Sequence, residues 1–533
     1  MFGHLIMLAQ LGGIAQAAYV WPSKYDRLDD LLYLQGGYIR NGELSDQVRT
    51  CDFGAGAPGI QKSAEWLRTA FHDAATYDTA TKLGGLDASI QFELDRAENK
   101  GAALNNTLAD ISSSYNTRDS ASDLLALAMV MAVEKCGGLV VPLRFGRVDA
   151  TKEGIAGVPE AHTDLETAQK RFQTMGFSQE EMITLVACGH TIGGVHSVDH
   201  PEIVTEGGVS EENVARFDTT TGSFDNAVVN EFLNNTTKNP LVVAKNDTLN
   251  SDKRIFTSDK NQTMTKLSDP AYFKSQCESL LERMINTVPG NVQLTEPYQP
   301  ADIRPTISSY QLRGDKVELA GRIRVRTTES TGRNASDIEV TLLPEDSTQT
   351  ISTTMATFKG GSSSGYNKEI FNWYEFNSTL DAGAIKAFDI QLSTRSTGKV
   401  VTNDNGGTGG FPLNADIFWQ RESSCLAFDQ STQTTRFSVV VAIREQVVEN
   451  AAPQIVVVQR ETMLGSHMPH LVQETIEMKR TEKVVGGYVF YQADATLRDQ
   501  SVSGTMFDIV VGESKLEFLE TNDVASNACQ VAS

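Results

Sequence analysis

Two hydrophobic periods divide this chain, and they do not mix. Through roughly residues 60–290 apolar side chains recur at helical spacing. Ile60, Ala64, Leu67 and Phe71 stand at i, i+4, i+7 and i+11, the stripe of an amphipathic helix. "SASDLLALAMVMAVEKCGG" (120–138) is apolar almost all round and ends on paired glycines, the profile of a buried central helix. "GFSQEEMITLVACGHTIGG" (176–194) opens with Ser178 and Glu181 at capping-box spacing, with Phe177 and Met182 at staple positions. A segment with four prolines and no helical period, 287–309, then intervenes. Beyond it come short β-branched runs, "KVELAGRIRVRTTE", "DIEVTLLPE", "RFSVVVAIREQ", "PQIVVVQRE" and "GGYVFYQADATL", separated by turn clusters such as "KGGSSSGYN" and "NDNGGTGGFP". The two periods predict a multidomain chain: a mostly α-helical domain over 18–295, a linker over 296–309, and an all-β domain, a sandwich, over 310–533. No internal repeat is evident.

Charge narrows the function classes. The formal net charge of −22 arises from 68 acidic against 46 basic residues, a surface that repels phosphate backbones and anionic membranes. Neither nucleic acid nor membrane is an expected partner. The N-terminal "MFGHLIMLAQLGGIAQAAYV" has an apolar run before Ala15-Gln16-Ala17, the pattern of a signal peptide over 1–17, although no Lys or Arg precedes the run. The expectation is a secreted, extracellular, monomeric protein. Six cysteines suit an oxidising destination, four before residue 300 and two after, so pairing within two separate units is expected. Sequons at Asn105, Asn234, Asn235, Asn246, Asn261, Asn334 and Asn377 permit glycosylation.

"LRTAFHDAA" (67–75) sets Arg68 and His72 four residues apart on one helix face. An imidazole beside a guanidinium suits peroxide cleavage: the first moves a proton between the two oxygens, and the second stabilises the charge on the departing one. A second histidine must then hold iron from the other side, with a carboxylate on its remaining nitrogen. "ACGHTIGG" (187–194) offers the histidine and "FTSDKNQ" (256–262) a carboxylate. With "RAENKGA" (96–102), these motifs occur in the order and at the spacings of one family. Residues 45–290 resemble the secreted haem peroxidases of plants and fungi, nearest to the fungal class II-like branch and to ascomycete forms with added C-terminal regions.

The resemblance implies roles residue by residue. Arg68 and His72 would act on peroxide, with Asn99 hydrogen-bonded to His72 and Phe71 over the haem face. His190 would ligate the iron of haem b, with Asp259 as its carboxylate partner and Phe217 beside it. Two calcium ions are implied: a distal one on Asp73, the Gly85 carbonyl, Asp87 and Ser89, and a proximal one on Thr191, Asp218, Thr220, the Ser223 carbonyl and Asp225. These are oxygen donors, as calcium prefers. Phenylalanines at 71 and 217 replace the tryptophans of the cytochrome c peroxidase and catalase-peroxidase branch, which argues against strong catalase activity. Cys51 and Cys136 match a fungal disulfide. Cys188 is not typical of the ligninolytic enzymes; its expected partner is Cys277, a buried free thiol being the alternative, and Cys425–Cys529 would be the third bridge.

The implied activity is oxidation of small phenolic or aromatic donors by hydrogen peroxide in one-electron steps. Positions that bind manganese in some relatives carry Gln61, Glu65 and His196, with one carboxylate among them. The position of a redox-active surface tryptophan in others carries Leu185. Donors are therefore expected to reach the haem edge directly. His196, Asp199 and His200 read as a solvated turn before Pro201, and His467 and His470 as an exposed loop. The β domain shows no catalytic constellation; contact with a polysaccharide wall and simple packing against the helical domain both fit it. The competing class is a non-catalytic wall or carbohydrate-binding protein that retains the haem scaffold.

Overall fold

A computed structural model describes residues 19–345, 349–382, 385–449, 451–498, 502 and 504–524. The expected signal peptide therefore lies outside the described residues. No helix among them is long and apolar enough to cross a membrane.

The helical region holds α1 (Asp26–Tyr33), α2 (Lys62–Ala74), α3 (Ala103–Ser112), α4 (Ala121–Gly137), α5 (Leu165–Thr174), α6 (Gln179–Gly189), α7 (Ala227–Leu233), α8 (Pro240–Val243), α9 (Ser251–Phe256), α10 (Gln262–Leu267) and α11 (Pro270–Ile285). The central helix is α4, buried along nearly its whole length. Ser120 caps its start by accepting from the Asp123 amide, and Gly138 ends it in the left-handed conformation. On α6 the capping box forms in full, with Ser178 and Glu181 each accepting from the other's backbone amide. Short strands β1 (Gly36–Gly37), β2 (Gly194–His196) and β3 (Val214–Arg216) complete this region, β2 and β3 as an antiparallel pair.

Two disulfides brace it. Cys51–Cys136 ties the segment before α2 to α4, and Cys188–Cys277 ties α6 to α11, across sequence separations of 85 and 89 residues. Closing loops of that length restricts the unfolded chain by roughly 4–5 kcal/mol per bridge. The expected Cys425–Cys529 pair involves Cys529, outside the described residues.

Strands dominate from Ile303 onward. The first set comprises β4 (Ile303–Arg313), β5 (Lys316–Arg326), β6 (Ile338–Pro344), β7 (Ile351–Ser352), β8 (Thr354–Met355), β9 (Ser362–Ser364), β10 (Ile370–Asp381), β11 (Ala387–Thr394), β12 (Lys399–Asn403) and β13 (Phe411–Pro412). One sheet has the order β9-β10-β5-β4 and the other β12-β11-β6-β7. Their facing sides enclose Leu319, Ile323, Val325, Val340, Leu342, Phe388 and Ile390. The second set comprises β14 (Ile417–Trp419), β15 (Cys425–Asp429), β16 (Thr434–Arg444), β17 (Gln454–Glu461), β18 (His470–Glu477), β19 (Lys479–Val485), β20 (Tyr488–Arg498), β21 (Met506–Val511) and β22 (Ser514–Glu520). Here the sheets are β14-β16-β20-β19 and β18-β17-β21-β22, closed over Phe437, Val439, Val441, Val457, Val489, Leu497 and Ile509.

The all-β expectation holds, but it divides differently. Two sandwiches stand in series where one was expected, and their topologies are the same. In each, the chain lays down a hairpin in one sheet, two strands in the opposite sheet, returns to the first, and finishes in the second. That arrangement is immunoglobulin-like. A repeat is thus present in topology although the sequence shows no period, because alternation and turn spacing fix strand order without fixing residue identities. The expected linker also changes, since β4 begins at Ile303, inside 296–309. The remainder is pinned to the helical region: the Thr295 and Tyr298 amides donate to the Phe145 and Leu143 carbonyls at 2.9 and 2.7 Å.

The helical region and the first sandwich share an interior. Phe371 and Trp373 of β10 are buried in one apolar cluster with Leu31, Leu32 and Tyr33 of α1. β1 adds to the first sheet through β9; a Cβ at Gly37, where φ is +103°, would meet the Ser362 carbonyl oxygen at 2.1 Å, so only glycine passes there. Beneath lies a charge cluster. Asp29, fully buried, accepts from Arg324 Nη1 at 2.5 Å and Arg304 Nη1 at 3.2 Å, and Arg304 also reaches Asp30. The Arg324 guanidinium lies 4.4 Å from the Phe371 ring centroid. Removing one partner of a buried pair leaves an uncompensated charge, at a cost of about 3–5 kcal/mol. Arg324→Leu should therefore destabilise the whole chain by that amount in urea unfolding. A loss under about 1 kcal/mol would show that the cluster does not hold the two regions together.

Candidate active site

The site forms where one face of α2 meets the C-terminal end of α6. A cavity of about 380 Å³ lies there, lined by Arg68, Phe71 and His72 from α2, by Phe172 of α5, and by His190, Phe217 and Asp252. Leu185, Val186, Leu281 and Met284 make part of its wall apolar.

On α2, Arg68 and His72 are brought together as their i, i+4 spacing predicts. Arg68 Nε donates to His72 Nε2 at 3.3 Å, and Arg68 Nη2 donates to the Lys100 carbonyl at 3.0 Å. His72 Nδ1 lies 2.7 Å from Asn99 Oδ1, while Asn99 Nδ2 donates to the Glu93 carbonyl at 2.9 Å. The Glu93 contact orients the Asn99 amide, so its oxygen faces the imidazole. His72 then carries its proton on Nδ1 and keeps a lone pair on Nε2. Burial, followed by the neighbouring Arg68 charge, lowers the His72 pKa to about 3. The ring is neutral at neutral pH, the state a base requires.

His190 caps the C-terminal end of α6, its amide donating to the Val186 carbonyl at 2.9 Å. Its Nδ1 lies 2.8 Å from Asp252 Oδ2, not from Asp259. Asp252 is buried on α9 and also accepts from Asn239 Nδ2 at 2.8 Å. The His190 ring stacks on Phe217 with centroids 4.3 Å apart and planes at 15°. With Nδ1 occupied, Nε2 is the nitrogen left for a ligand.

The Asp259 assignment is corrected. Asp259 accepts from the Gln262 and Thr263 amides at 3.0 and 2.8 Å and from Thr263 Oγ1 at 2.6 Å, closing the turn into α10. The segment reads "NSDKRIFTSDKNQ", with the tripeptide Ser-Asp-Lys occurring twice, at 251–253 and 258–260. Their contexts differ in a physically meaningful way. Ile255 and Phe256 follow Asp252 at i+3 and i+4, and both are buried, so a helix there turns the carboxylate inward. Gln262 and Thr263 hold the same offsets from Asp259. Asn239, which donates to the same Asp252 oxygen that faces His190, carries no separable signal in the sequence, since its side-chain oxygen also caps α8 by accepting from the Leu241 amide at 2.8 Å.

The calcium positions can be tested by their chemistry. Asp73 is fully buried and accepts from the Ala88 and Ile90 amides at 2.7 and 2.9 Å. Asp87 and the hydroxyl of Ser89 stand beside it, and burial, then the Asp87 charge, pushes its carboxyl well up. At the other position Thr191 Oγ1 donates to the Asp225 carbonyl and Thr220 Oγ1 to Asp225 Oδ1 at 2.9 Å. Asp218 Oδ2 is buried with no hydrogen-bond partner, and burial pushes the Asp218 carboxyl up to about 7. An orphaned buried carboxylate oxygen among hydroxyl and carbonyl oxygens fits a hard cation. Among the described residues no three His, Cys, Asp or Glu side chains converge on one point, so any ion would draw on the Thr, Ser and Gly oxygens as well. The Gly85 carbonyl lies 3.4 Å from Thr76 Oγ1, and the Ser223 amide donates to the Thr220 carbonyl.

The positions expected for long-range oxidation have other partners or are buried. Gln61 is buried, its Nε2 donating to the Cys51 and Thr221 carbonyls at 3.0 and 2.9 Å. Glu65 is half-buried and bonded to Asn106 Nδ2 at 2.7 Å. Leu185 is buried.

Two substitutions separate the carboxylates. Asp252→Ala should weaken haem retention or alter the spectrum of any bound haem, because His190 loses its orienting partner. Asp259→Ala should cost about 1 kcal/mol of stability and leave that spectrum unchanged. The opposite pattern would return the role to Asp259.

Comparison with known proteins agrees with the geometry. Residues 50–269 match the peroxidase family model. A "WSC domain-containing protein" of Arthroderma benhamiae is 38% identical over 391 residues, 72% of this chain and 54% of its own length. That alignment is too long for the helical region alone, so the likeness extends into the strands. "L-ascorbate peroxidase 5, peroxisomal" of Arabidopsis thaliana is 36% identical over 132 residues, 24% of this chain and 47% of its own. A "putative heme-binding peroxidase" of Aspergillus fumigatus is 33% identical over 138 residues, 25% of this chain and 42% of its own. The chain spans about half the length of the curated relatives it matches. Residues 50–269 are therefore a peroxidase domain of the plant and fungal type.

Proposed function

We propose that the chain is a secreted haem b peroxidase that uses hydrogen peroxide to oxidise small phenols, aromatic amines and comparable donors. The observation that carries this reading is the pairing, around one cavity, of a neutral His72 held by Asn99 and Arg68 with a His190 held by Asp252. Neither constellation is needed by a scaffold. Bound haem would supply the iron on which peroxide reacts and the oxidising equivalents that donors consume.

The residues of the chain do the rest. Asp252 holds the proton on His190 Nδ1, which leaves Nε2 basic and aimed for metal ligation. His72 Nε2 takes a proton from peroxide and returns it to the departing oxygen. Arg68, fixed by the Lys100 carbonyl, stabilises the charge that develops there. Asn99 keeps His72 in the competent tautomer throughout. With one carboxylate among Gln61, Glu65 and His196 and a leucine at 185, donors meet the cavity edge itself. The names of the plant relatives make ascorbate a further donor to try. Calcium at the two positions described would pin the residues that directly follow His72 and His190. Glycosylation at exposed sequons and contact of the sandwiches with cell-wall polysaccharide belong to the same proposal.

The test is reconstitution of the full chain with haem, followed by its Soret band and turnover of a phenolic donor such as guaiacol. Protein that takes up haem poorly and turns over nothing would favour the scaffold reading. His72→Ala should slow the reaction with peroxide by ~100- to 10,000-fold while haem uptake persists. An unchanged rate would remove His72 from the mechanism. Active protein free of calcium by metal analysis would discard the two ions.

A further inference from the structure

The charge that serves the mechanism also has a cost. Arg68 stabilises the departing oxygen, but a guanidinium beside open space attracts any small anion in solution. Hydrogen peroxide arrives uncharged, so that wider attraction does nothing for the reaction and admits competitors.

A carboxylate stands against it. Asp199 lies nine residues after His190, in the turn that follows β2, and lines the same cavity as Arg68. Its Oδ2 comes so near the 96–102 segment that a Cβ at Gly101 would meet it at 2.7 Å. The preceding residue, Lys100, is the one whose carbonyl accepts from Arg68 Nη2 at 3.0 Å. A side chain carried by the loop after the proximal histidine thus reaches the backbone that fixes the distal arginine. No hydrogen bond or ion pair among the described residues joins Asp199 to Arg68, whose Nε keeps its contact with His72. The guanidinium stays free to donate.

Of the carboxylates around Arg68, Asp199 acts on it most strongly, ahead of Glu65. Glu65 is the weaker counter-charge, because burial pushes its carboxyl up to about 7 and Lys62 lies 3.7 Å away. Asp199 also acts on His196, but burial lowers the pKa of that ring and leaves it neutral at pH 7. The other cations of the cavity, Lys100 and Arg216, are answered elsewhere, by Glu202 and Asp52. A carboxylate that faces a guanidinium without touching it cancels the field felt by a distant anion. Hydrogen bonds from the guanidinium act at contact distance and survive.

We propose that Asp199 is a specificity-determining residue that sets the cavity against anions, so that neutral peroxide and neutral or cationic aromatic donors are accepted and anionic donors such as ascorbate are disfavoured. The inference rests on the haem reading above and narrows its donor class.

The experiment uses the full chain loaded with haem. Asp199→Asn removes the charge at nearly constant shape, and Asp199→Glu keeps it. Two probes of one site are titrated at pH 7 and read from the Soret band: fluoride, which enters as an anion, and hydrogen cyanide, which enters uncharged. D199N should tighten fluoride binding roughly tenfold and change cyanide binding less than about twofold, while D199E stays near wild type for both. KM for ascorbate should fall by a similar factor relative to KM for guaiacol. Fluoride and cyanide shifting together in D199N would overturn the proposal, by showing that the side chain acts through packing on the 96–102 segment. A fluoride-to-cyanide ratio within about twofold of wild type would overturn it as well. The wild type supplies a check that needs no variant: salt should lower KM for ascorbate or leave it unchanged, and a KM that rises with salt would mean that the cavity attracts anions. Wild-type protein that takes up no haem would sink the underlying haem reading, and this proposal with it, before any variant is compared.

Discussion

A buried carboxylate governs how this chain is put together. Asp29 is wholly out of solvent, and the charges that answer it come from β4 and β5, nearly three hundred residues later in sequence. A carboxylate in an apolar setting is tolerated only when it is paired and hydrogen-bonded. The helical region and the first sandwich are therefore one energetic unit around α1, whatever their separate secondary structures suggest. The Phe371 ring under Arg324 and the β1–β9 pairing extend the same seam. Arg460 of the second sandwich donates to the Ser112 and Ser113 carbonyls at 3.2 and 2.6 Å, so that sandwich too lies against the helices.

The site follows from where helices end. His190 closes α6 and is held by the Cys188–Cys277 bridge two residues earlier. Asp252 faces it from the short α9, itself steadied by Asn239. On the other wall, His72 lies in the last turn of α2, and its partner Asn99 closes a short 3₁₀ turn, Ala97–Asn99, with its amide oriented by the Glu93 carbonyl. Polar side chains held at element ends keep their reach into the cavity while backbone bonds fix their direction. The resulting electrostatics are complementary: burial and the Arg68 charge keep one imidazole neutral while Asn99 fixes its tautomer, and a carboxylate draws the proton of the other toward Nδ1.

Much of this was legible in the residues, and the misses have physical reasons. The helix period of α2 and α4 and the capping box of α6 are local and strong, and they form where the sequence placed them. Arg68, His72 and Asn99 meet as their spacing and the family motifs implied. The family motif falls on Asp259 instead of Asp252 because the tripeptide Ser-Asp-Lys occurs twice within ten residues, and the buried pair Ile255 and Phe256 is what distinguishes the first copy. The strands begin earlier than the residues suggest because Pro300 and Pro305 mimic a linker. Proline at 305 nonetheless sits within β4, the edge strand of its sheet, where a missing amide is tolerated. The number of sandwiches was hidden for a different reason. Alternating apolar residues announce strands, but which sheet a strand joins depends on contacts between distant residues that no local pattern carries.

The repeated sandwich topology has a consequence for how the chain reaches its native state. Two neighbours with the same strand order offer each strand two geometrically equivalent places, and exchange between adjacent domains is a characteristic failure of tandem architectures. Divergence guards against it. The core strand β16 reads "TTRFSVVVAIR" whereas its counterpart β5 reads "KVELAGRIRVR". Gly321 in β5 leaves room for Phe376 of β10, since a Cβ there would approach the Phe376 ring at 2.9 Å and the Thr306 carbonyl oxygen at 2.3 Å. In β16, the strand at the same place in its sheet, Val439 pairs with Ala493 of β20, a valine opposite a small residue where β5 sets a glycine opposite a phenylalanine. Loss of sequence likeness between the two sandwiches thus makes each strand a poor fit for the neighbouring core, which disfavours exchange between them.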